Sequence, residues 1–514
     1  NTRTMSYTLN ELLTYRRKFG EHSVDLLAGH EYYRYNYNYQ LGSKSGIVDG
    51  IDELGSAVTT LSNTSYSNDY AIESVLARLN YGFRDRYYFD ASWRTDGSSR
   101  FHKSNQWGNF WSVGASWRIS EENFMKSTSD WLNNLTLKAS YGVQGNDNLG
   151  SYYVWQGRFS YGWANGTRPG STASSIENKL VTWEKNGNLN TGIEASMFGG
   201  RLTSTIEYYS RRTRDMLLNN PLAISSGFSG YDDNVGSMVN RGLETSFRGV
   251  IFDRSNFHWD ASLMLSMNRN KVTELTSSQD VINYGSVVIE KGKPIYTFYM
   301  SKSAGVSPST GRQLYYAYYR YAVDKTGSIV TEKCDEYVTD NVGLASLSKY
   351  YYGSRQALFS GSFSSNFTFF KNFDFSFLTT FSVGGKIYDS LYGGAMNVTY
   401  AGNNWHKNVL RRWQQPGDIT DVPLVEIGGS RSSTGEELID ASYFAIKNIT
   451  LGYTLPSSLT KKAGIGACRV FVTADNLALF CNMNGMDPQY NFTGTVSYTY
   501  TPSRVVAAGI DINF

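Results

Sequence analysis

The chain has 514 residues with 48 basic and 45 acidic side chains, and a formal charge of +3 gives no electrostatic case for nucleic acid. Aromatic residues make up 15%, glycine occurs 49 times and proline only 9 times; strands favour aromatic residues, and central strands exclude proline because it cannot donate to the ladder. No apolar run reaches the roughly eighteen residues of a membrane-crossing helix. A transmembrane strand stays open, because only its alternate residues meet lipid.

The first predicted strand covers about Thr4–Lys18 and turns at Phe19-Gly20. Tyr32, Tyr33, Tyr35, Tyr37 and Tyr39 crowd the far end of the next, where an interfacial girdle is expected. Val75, Ala77, Leu79, Tyr81 and Phe83 alternate with Arg78, Asn80 and Gly82. Phe89, Ala91 and Trp93 then alternate with Asp90, Ser92 and Arg94. Leu135, Leu137, Ala139, Tyr141 and Val143 alternate with Thr136, Lys138, Ser140 and Gln144. The clearest hairpin is Leu358–Val383. Phe359, Phe363, Phe367 and Phe369 share one face of its first strand, with Ser360, Ser362, Ser364, Asn366 and Thr368 opposite. After Lys371-Asn372, Phe373, Phe375, Phe377 and Phe381 lie opposite Asp374, Ser376 and Thr380. At the C-terminus Val506, Ala508, Ile510, Ile512 and Phe514 alternate with Ala507, Gly509, Asp511 and Asn513. Such alternation needs an apolar medium on one side and water on the other.

Connections alternate too. Tight turns fall near Phe19-Gly20, Arg84–Arg86, Gly199-Gly200, Asp253–Asn256 and Lys371-Asn372. Long polar connections fall near 40–72, 146–181, 219–234, 273–292, 323–355, 389–438 and 481–503. Short turns on one side and long loops on the other describe an outer-membrane barrel, with periplasmic turns and extracellular loops. The expected fold is an all-β transmembrane antiparallel β-barrel, of which residues 1–514 supply about seventeen strands. Phasing puts Asn1 on the extracellular side, after an odd number of strands, and Asn1 opens no signal peptide. A soluble sandwich or propeller would need apolar faces packed on each other, and no blade-length repeat is present.

Cys334, Cys468 and Cys481 make no disulfide framework. The last two bracket one strand, on the order of 40 Å apart at ~3.4 Å per residue. Catalysis has little support: G-x-S-x-G, H-E-x-x-H and C-x-x-C are absent, and His22, His30, His102, His258 and His406 are scattered. Asp324-Lys325-Thr326-Gly327 lacks the alternating ligands of a calcium loop and reads as a solvated turn. The polar residues Arg78, Asn80, Asp90, Arg94, Lys138, Glu207 and Glu244 are expected inside the barrel. Tyr152, Tyr153, Trp155, Trp163, Tyr400, Trp405 and Tyr490 fall in extracellular connections. Their flat rings can stack on sugar faces or grip apolar peptide side chains; the competing role is loop packing or a lid interface.

An ordered series of motifs runs along most of the chain. It comprises Arg94-Thr95-Asp96-Gly97-Ser98-Ser99-Arg100-Phe101, Gly114–Glu122, Ser140-Tyr141-Gly142 with Gly145-Asn146, Trp183-Glu184-Lys185 and Asn240-Arg241-Gly242-Leu243-Glu244. Downstream stand Arg412-Trp413, Pro416-Gly417-Asp418, Asp421-Val422-Pro423, Tyr443, Ile446–Ile449, Leu451-Gly452-Tyr453, Leu455-Pro456, Thr473–Leu477 and Asp487-Pro488-Gln489. The series resembles the SusC/RagA-like TonB-dependent transporters of the Bacteroidota outer membrane. That resemblance implies a barrel of about 22 strands, uptake of glycan or peptide fragments, a SusD-like lipoprotein lid, no cofactor, and energy from TonB-ExbB-ExbD acting on an N-terminal plug. The plug and the TonB box are not found in residues 1–514, which read as the C-terminal portion of one barrel. It also makes Arg411-Arg412-Trp413 a structural loop motif, and Ile510, Ile512 and Phe514 resemble the signal read by the insertion machinery. Alternatives are a siderophore-type receptor without a SusD-like partner, or a passive pore or surface adhesin. Alone, this wall would leave two strand edges unpaired in lipid, so it is expected to need its upstream strands.

Overall fold

The computed structural model describes residues 1–275, 281–400, 402, 404–482, 487–490, 494 and 500–514. Alternation builds most of it: fifteen strands pair in chain order in one sheet. They are β1 (Thr2–Phe19), β2 (His22–Ser45), β3 (Thr59–Phe83), β4 (Tyr87–Ser98), β5 (Trp107–Arg118), β6 (Leu132–Asn146), β7 (Glu184–Met197) and β8 (Leu202–Arg214). Then follow β9 (Ser237–Arg254), β10 (Phe257–Glu274), β11 (Phe359–Phe369), β12 (Phe373–Val383), β13 (Tyr443–Thr454), β14 (Ala467–Cys481) and β15 (Val505–Asn513). Two compact units divide the chain, Asn1–Glu194 with Tyr209–Val239, and Ala195–Tyr208 with Asn240–Phe514.

In the first unit, Leu26, Leu79, Ala91, Val113 and Tyr141 form one cross-strand row over β2–β6. The adjacent row on the other face is Asp25, Asn80, Asp90, Gly114 and Ser140. The second unit repeats the contrast from β10 to β15. Trp259, Phe367, Phe375, Leu451, Val472 and Ala508 share one row, and Asp260, Asn366, Ser376, Thr450, Thr473 and Ala507 the next. A one-residue slip would exchange these rows, so the pattern itself pins the register. Arg78, Asn80, Asp90, Arg94 and Lys138 fall on the polar face, as expected. Glu207 alternates with exposed Ile206 and Tyr208, and Glu244 follows exposed Leu243.

Polar-face charges are paired within and between strands. Arg94 reaches Glu31 at 2.9 Å and Asp96 at 2.5 Å; Lys138 reaches Glu194 at 2.7 Å. Arg469 grips Asp374 through two nitrogens, at 2.6 and 3.0 Å, and also reaches Asp511. A Cβ on Gly452 would stand 2.5 Å from both Arg469 and Asp374, so this family-motif glycine leaves room for the pair.

Short turns join β1 to β2, β3 to β4, β7 to β8, β9 to β10 and β11 to β12, as expected. Arg84 and Asp85 have φ of 56° and 52°, and Phe370 and Lys371 have 50° and 67°, the left-handed pairs of primed hairpin turns. The last turn therefore centres one residue earlier than the sequence suggests. The loop expected over 40–72 shrinks to 46–58, because β2 and β3 stay paired out to Ser45 and Thr59. Among the described residues the sheet has fifteen strands, where the sequence suggests about seventeen. The sequence reading leaves wall between its loops at 273–292 and 323–355. The structure instead places Thr297–Val306 and Gln313–Val323 in a separate six-stranded sheet within one excursion between β10 and β11. Cys468 and Cys481 lie near opposite ends of β14.

Phe377 sits mid-strand in the apolar face, opposite Ile449. Phe377→Arg in the full-length protein should cost about 2–4 kcal/mol of unfolding free energy in lipid vesicles, whereas Ser376→Asn on the polar face should stay within about 0.5 kcal/mol. Equal costs in denaturant titrations would contradict the assignment of faces.

Candidate functional site

Among the described residues, the long connections carry most of the large, fully buried side chains, so they are packed structures. In the first unit the packing is organised by Arg94–Phe101. Ser98 Oγ donates to Asp147 at 2.6 Å, and Ser99 Oγ accepts from the Ala71 amide. Arg100 donates to the Asp147 carbonyl and to Asn148, and its guanidinium lies 4.8 Å from the Tyr70 ring centre and 4.9 Å from that of Tyr152. Phe101 is buried with Phe110, Val154, Val181, Trp183 and Leu217. Gly145 clears space for the Phe110 ring, which a Cβ there would meet at 2.1 Å. These motifs thus hold loop to wall.

The predicted binding rings separate into two kinds. Tyr152 packs on Tyr35 and Tyr70, Tyr153 accepts from the Asp69 amide at 2.9 Å, and Trp155 leans on the Phe101 cluster with its ring against His102. Trp163 is 61% exposed on the hairpin Arg158–Asn165/Arg168–Ser175. In the second unit Tyr400 is 66% exposed, and Trp405 borders a hollow with Leu410 and Val425. The Tyr490 side chain lies outside the described residues. Ile510 and Ile512 are exposed on β15 and pair with Val470 and Cys468; Phe514 follows that strand.

The second unit's loops are locked by polar pairs. Arg431 donates to Glu437 at 2.7 Å, both largely buried. Burial pushes the Glu437 carboxyl up, with Arg431 opposing, and burial with Glu437 nearby pushes Tyr388 up to about 12. The Arg411–Asp421 pair and Trp413, which donates to the Pro308 carbonyl, close the loop that the sequence reads as structural. The Asp324 carboxylate accepts from Thr326 and Ser328, a turn on its own backbone. Each histidine has a partner: His22 meets Tyr81, His30 Glu73, His102 Ser104, His258 Asp253, and His406 the Asn408 amide.

A cavity of about 470 Å³ opens in this unit where the polar face of β9–β11 meets the loops. Asn240, Asn268 and Asn270 line it, with Gln356, Gln489 and Arg355 from the connections. The Asn240 carbonyl oxygen accepts from Asn270 at 2.9 Å and from Asn268 at 3.3 Å. The Asn270 carbonyl accepts from the Ile295 amide at 2.7 Å. Amides facing a cavity offer donors and acceptors to a polar, uncharged chain. Sequence reasoning singled out Asn240 and Gln489 only as motif members and missed Asn268 and Asn270, whose two-residue spacing on one strand was the available signal.

A family model described as "TonB dependent receptor-like, beta-barrel" matches residues 1–357. The chain belongs to that family, the β-barrels of outer-membrane receptors and transporters, which are not enzymes. It is 28% identical over 510 residues to TonB-dependent receptor P3 of Formosa agariphila, covering 95% of this chain and 49% of that protein. It is 27% identical over 540 residues to TonB-dependent receptor SusC of Bacteroides thetaiotaomicron, covering 98% and 50%. A solved structure titled "Structure of the RagAB peptide transporter" matches with a TM-score of 0.86 and 29% identity, over all of this chain and 56% of that one. The chain thus spans about half the length of the curated relatives it matches. The SusC/RagA resemblance read from the motifs is borne out.

Arg431→Met would leave a buried carboxylate without its cation, a loss of about 3–5 kcal/mol when such a pair is broken. Limited proteolysis should then cut within 384–442 while the wall stays resistant; an unchanged digestion pattern would show that the pair does not lock the loop.

Proposed function

We propose that residues 1–514 form wall and outer loops of an active outer-membrane importer for glycan or peptide oligomers. The observation that carries this reading is the amide-lined cavity on the polar face of the wall, beneath long packed loops. A passive pore has no need of a recessed polar binding surface there. The similarity to SusC and to the RagAB peptide transporter supports oligomers as cargo. A SusD-like surface lipoprotein closes the site from outside. TonB-ExbB-ExbD supplies energy through a plug and TonB box assigned to sequence outside these residues. Ile510, Ile512 and Phe514 mark β15 for the insertion machinery.

The exposed rings Trp163, Tyr400 and Trp405 serve as contacts for cargo or lid, and the half-buried Tyr152, Tyr153 and Trp155 frame the loop; Tyr490 is assigned with the contacts. Trp163→Ala with Trp405→Ala in the full-length protein should weaken oligomer capture by about two- to tenfold, the scale of one or two ring contacts. Unaltered affinity by calorimetry would show that neither ring contacts cargo. The importer reading itself is tested by purifying the tagged full-length protein from its native membrane. A SusD-like lipoprotein should co-purify, and cells lacking TonB should lose uptake. A receptor that purifies alone and transports without TonB would overturn the proposal.

A further inference from the structure

Recessed arginines in this protein are generally matched by carboxylates. Arg94 has Glu31 and Asp96, Arg431 has Glu437, Arg469 has Asp374 and Asp511, and Arg100 stands beside Asp147. Arg355 breaks the pattern. It lies in the connection just before β11, at the wall of the amide-lined cavity. One terminal nitrogen donates to the Pro488 carbonyl. Its Nε is buried with no partner among the described residues, as are those of Arg100 and Arg431, but here no acidic side chain among the described residues lines the cavity. Burial lowers its affinity for the proton, and the neighbour opposing that is the Tyr443 phenol, a weak counterweight. Asp487, the acid nearest in sequence to Gln489, is occupied by the Gln489 amide and side chain.

A guanidinium partly withdrawn from water with no carboxylate beside it is costly, and its planar fork suits a carboxylate. The surrounding amides suit the neutral remainder of an oligomer. We infer that the cavity seats a carboxylate of the incoming oligomer on Arg355, so that the importer selects acidic over neutral cargo. This rests on the importer reading above. A peptide C-terminus and a uronic acid present the same group, and the choice of probes separates them.

The test uses the full-length protein with its partner lipoprotein and four probes. These are a mixed peptide pool with free C-termini, the same pool amidated, an oligogalacturonate mixture and a maltooligosaccharide mixture. Wild type should bind one carboxylate-bearing probe more tightly than its neutral counterpart. Arg355→Gln should narrow the preference for that probe over its neutral counterpart on the order of tenfold or more. Arg355→Lys should keep part of the preference, which separates lost charge from lost fold. Response to the free-acid peptides alone would assign a peptide terminus, and response to oligogalacturonate alone a uronate. Binding that ignores the carboxylate, or is indifferent to both substitutions, would overturn the carboxylate seat and leave the importer standing. Binding of no probe by any of the proteins would overturn both.

Discussion

Backbone amides and carbonyls cannot be left unpaired in hydrocarbon, and that constraint orders the rest of this structure. A strand meets it by lending its hydrogen bonds to neighbours on both sides, which commits successive side chains to opposite faces. One face must then suit lipid and the other water. Cross-strand rows such as Trp259, Phe367, Phe375, Leu451 and Val472 against Asp260, Asn366, Ser376, Thr450 and Thr473 satisfy both demands together. Little conventional core is needed between such faces, and the buried apolar clusters accordingly sit in the long connections.

The polar face has its own logic. Charges there are set within reach of opposite charges on adjoining strands or across one intervening strand, and glycines stand where a side chain would block the pairing, as Gly452 does on the strand between Arg469 and Asp374. Irregularities serve the same end. At the bulge between Ile446 and Asn448, the Asn448 amide reaches Asp475 at 2.7 Å, and Asn476 takes a left-handed φ of 48°. Two of the family motifs therefore encode one local distortion of the ladder.

Alternation made the wall legible, since the Phe359–Phe381 hairpin can hardly be read another way. It misled between 293 and 322 for a physical reason. Period two reports that a sheet has two faces, but not which medium each meets. Tyr315 and Ala317 are buried within the loop sheet, while neighbours such as Tyr316 are less covered, the same pattern a wall strand shows. Loop aromatics were legible as loop residues, but burial within a loop depends on distant partners. Trp155 finds the Phe101 cluster and Trp163 finds solvent, with nothing local to separate them. Arg355 carries no motif signal; only its placement without a carboxylate marks it.

One face of the wall meets lipid and the other meets water. Fluorophores on single cysteines, in a full-length background lacking Cys334, Cys468 and Cys481, can be challenged with brominated lipid in reconstituted membranes. Labels at Val113 and Val472 should be strongly quenched, and labels at the adjacent Ser112 and Thr473 should not. Equal quenching of neighbouring positions would contradict the account.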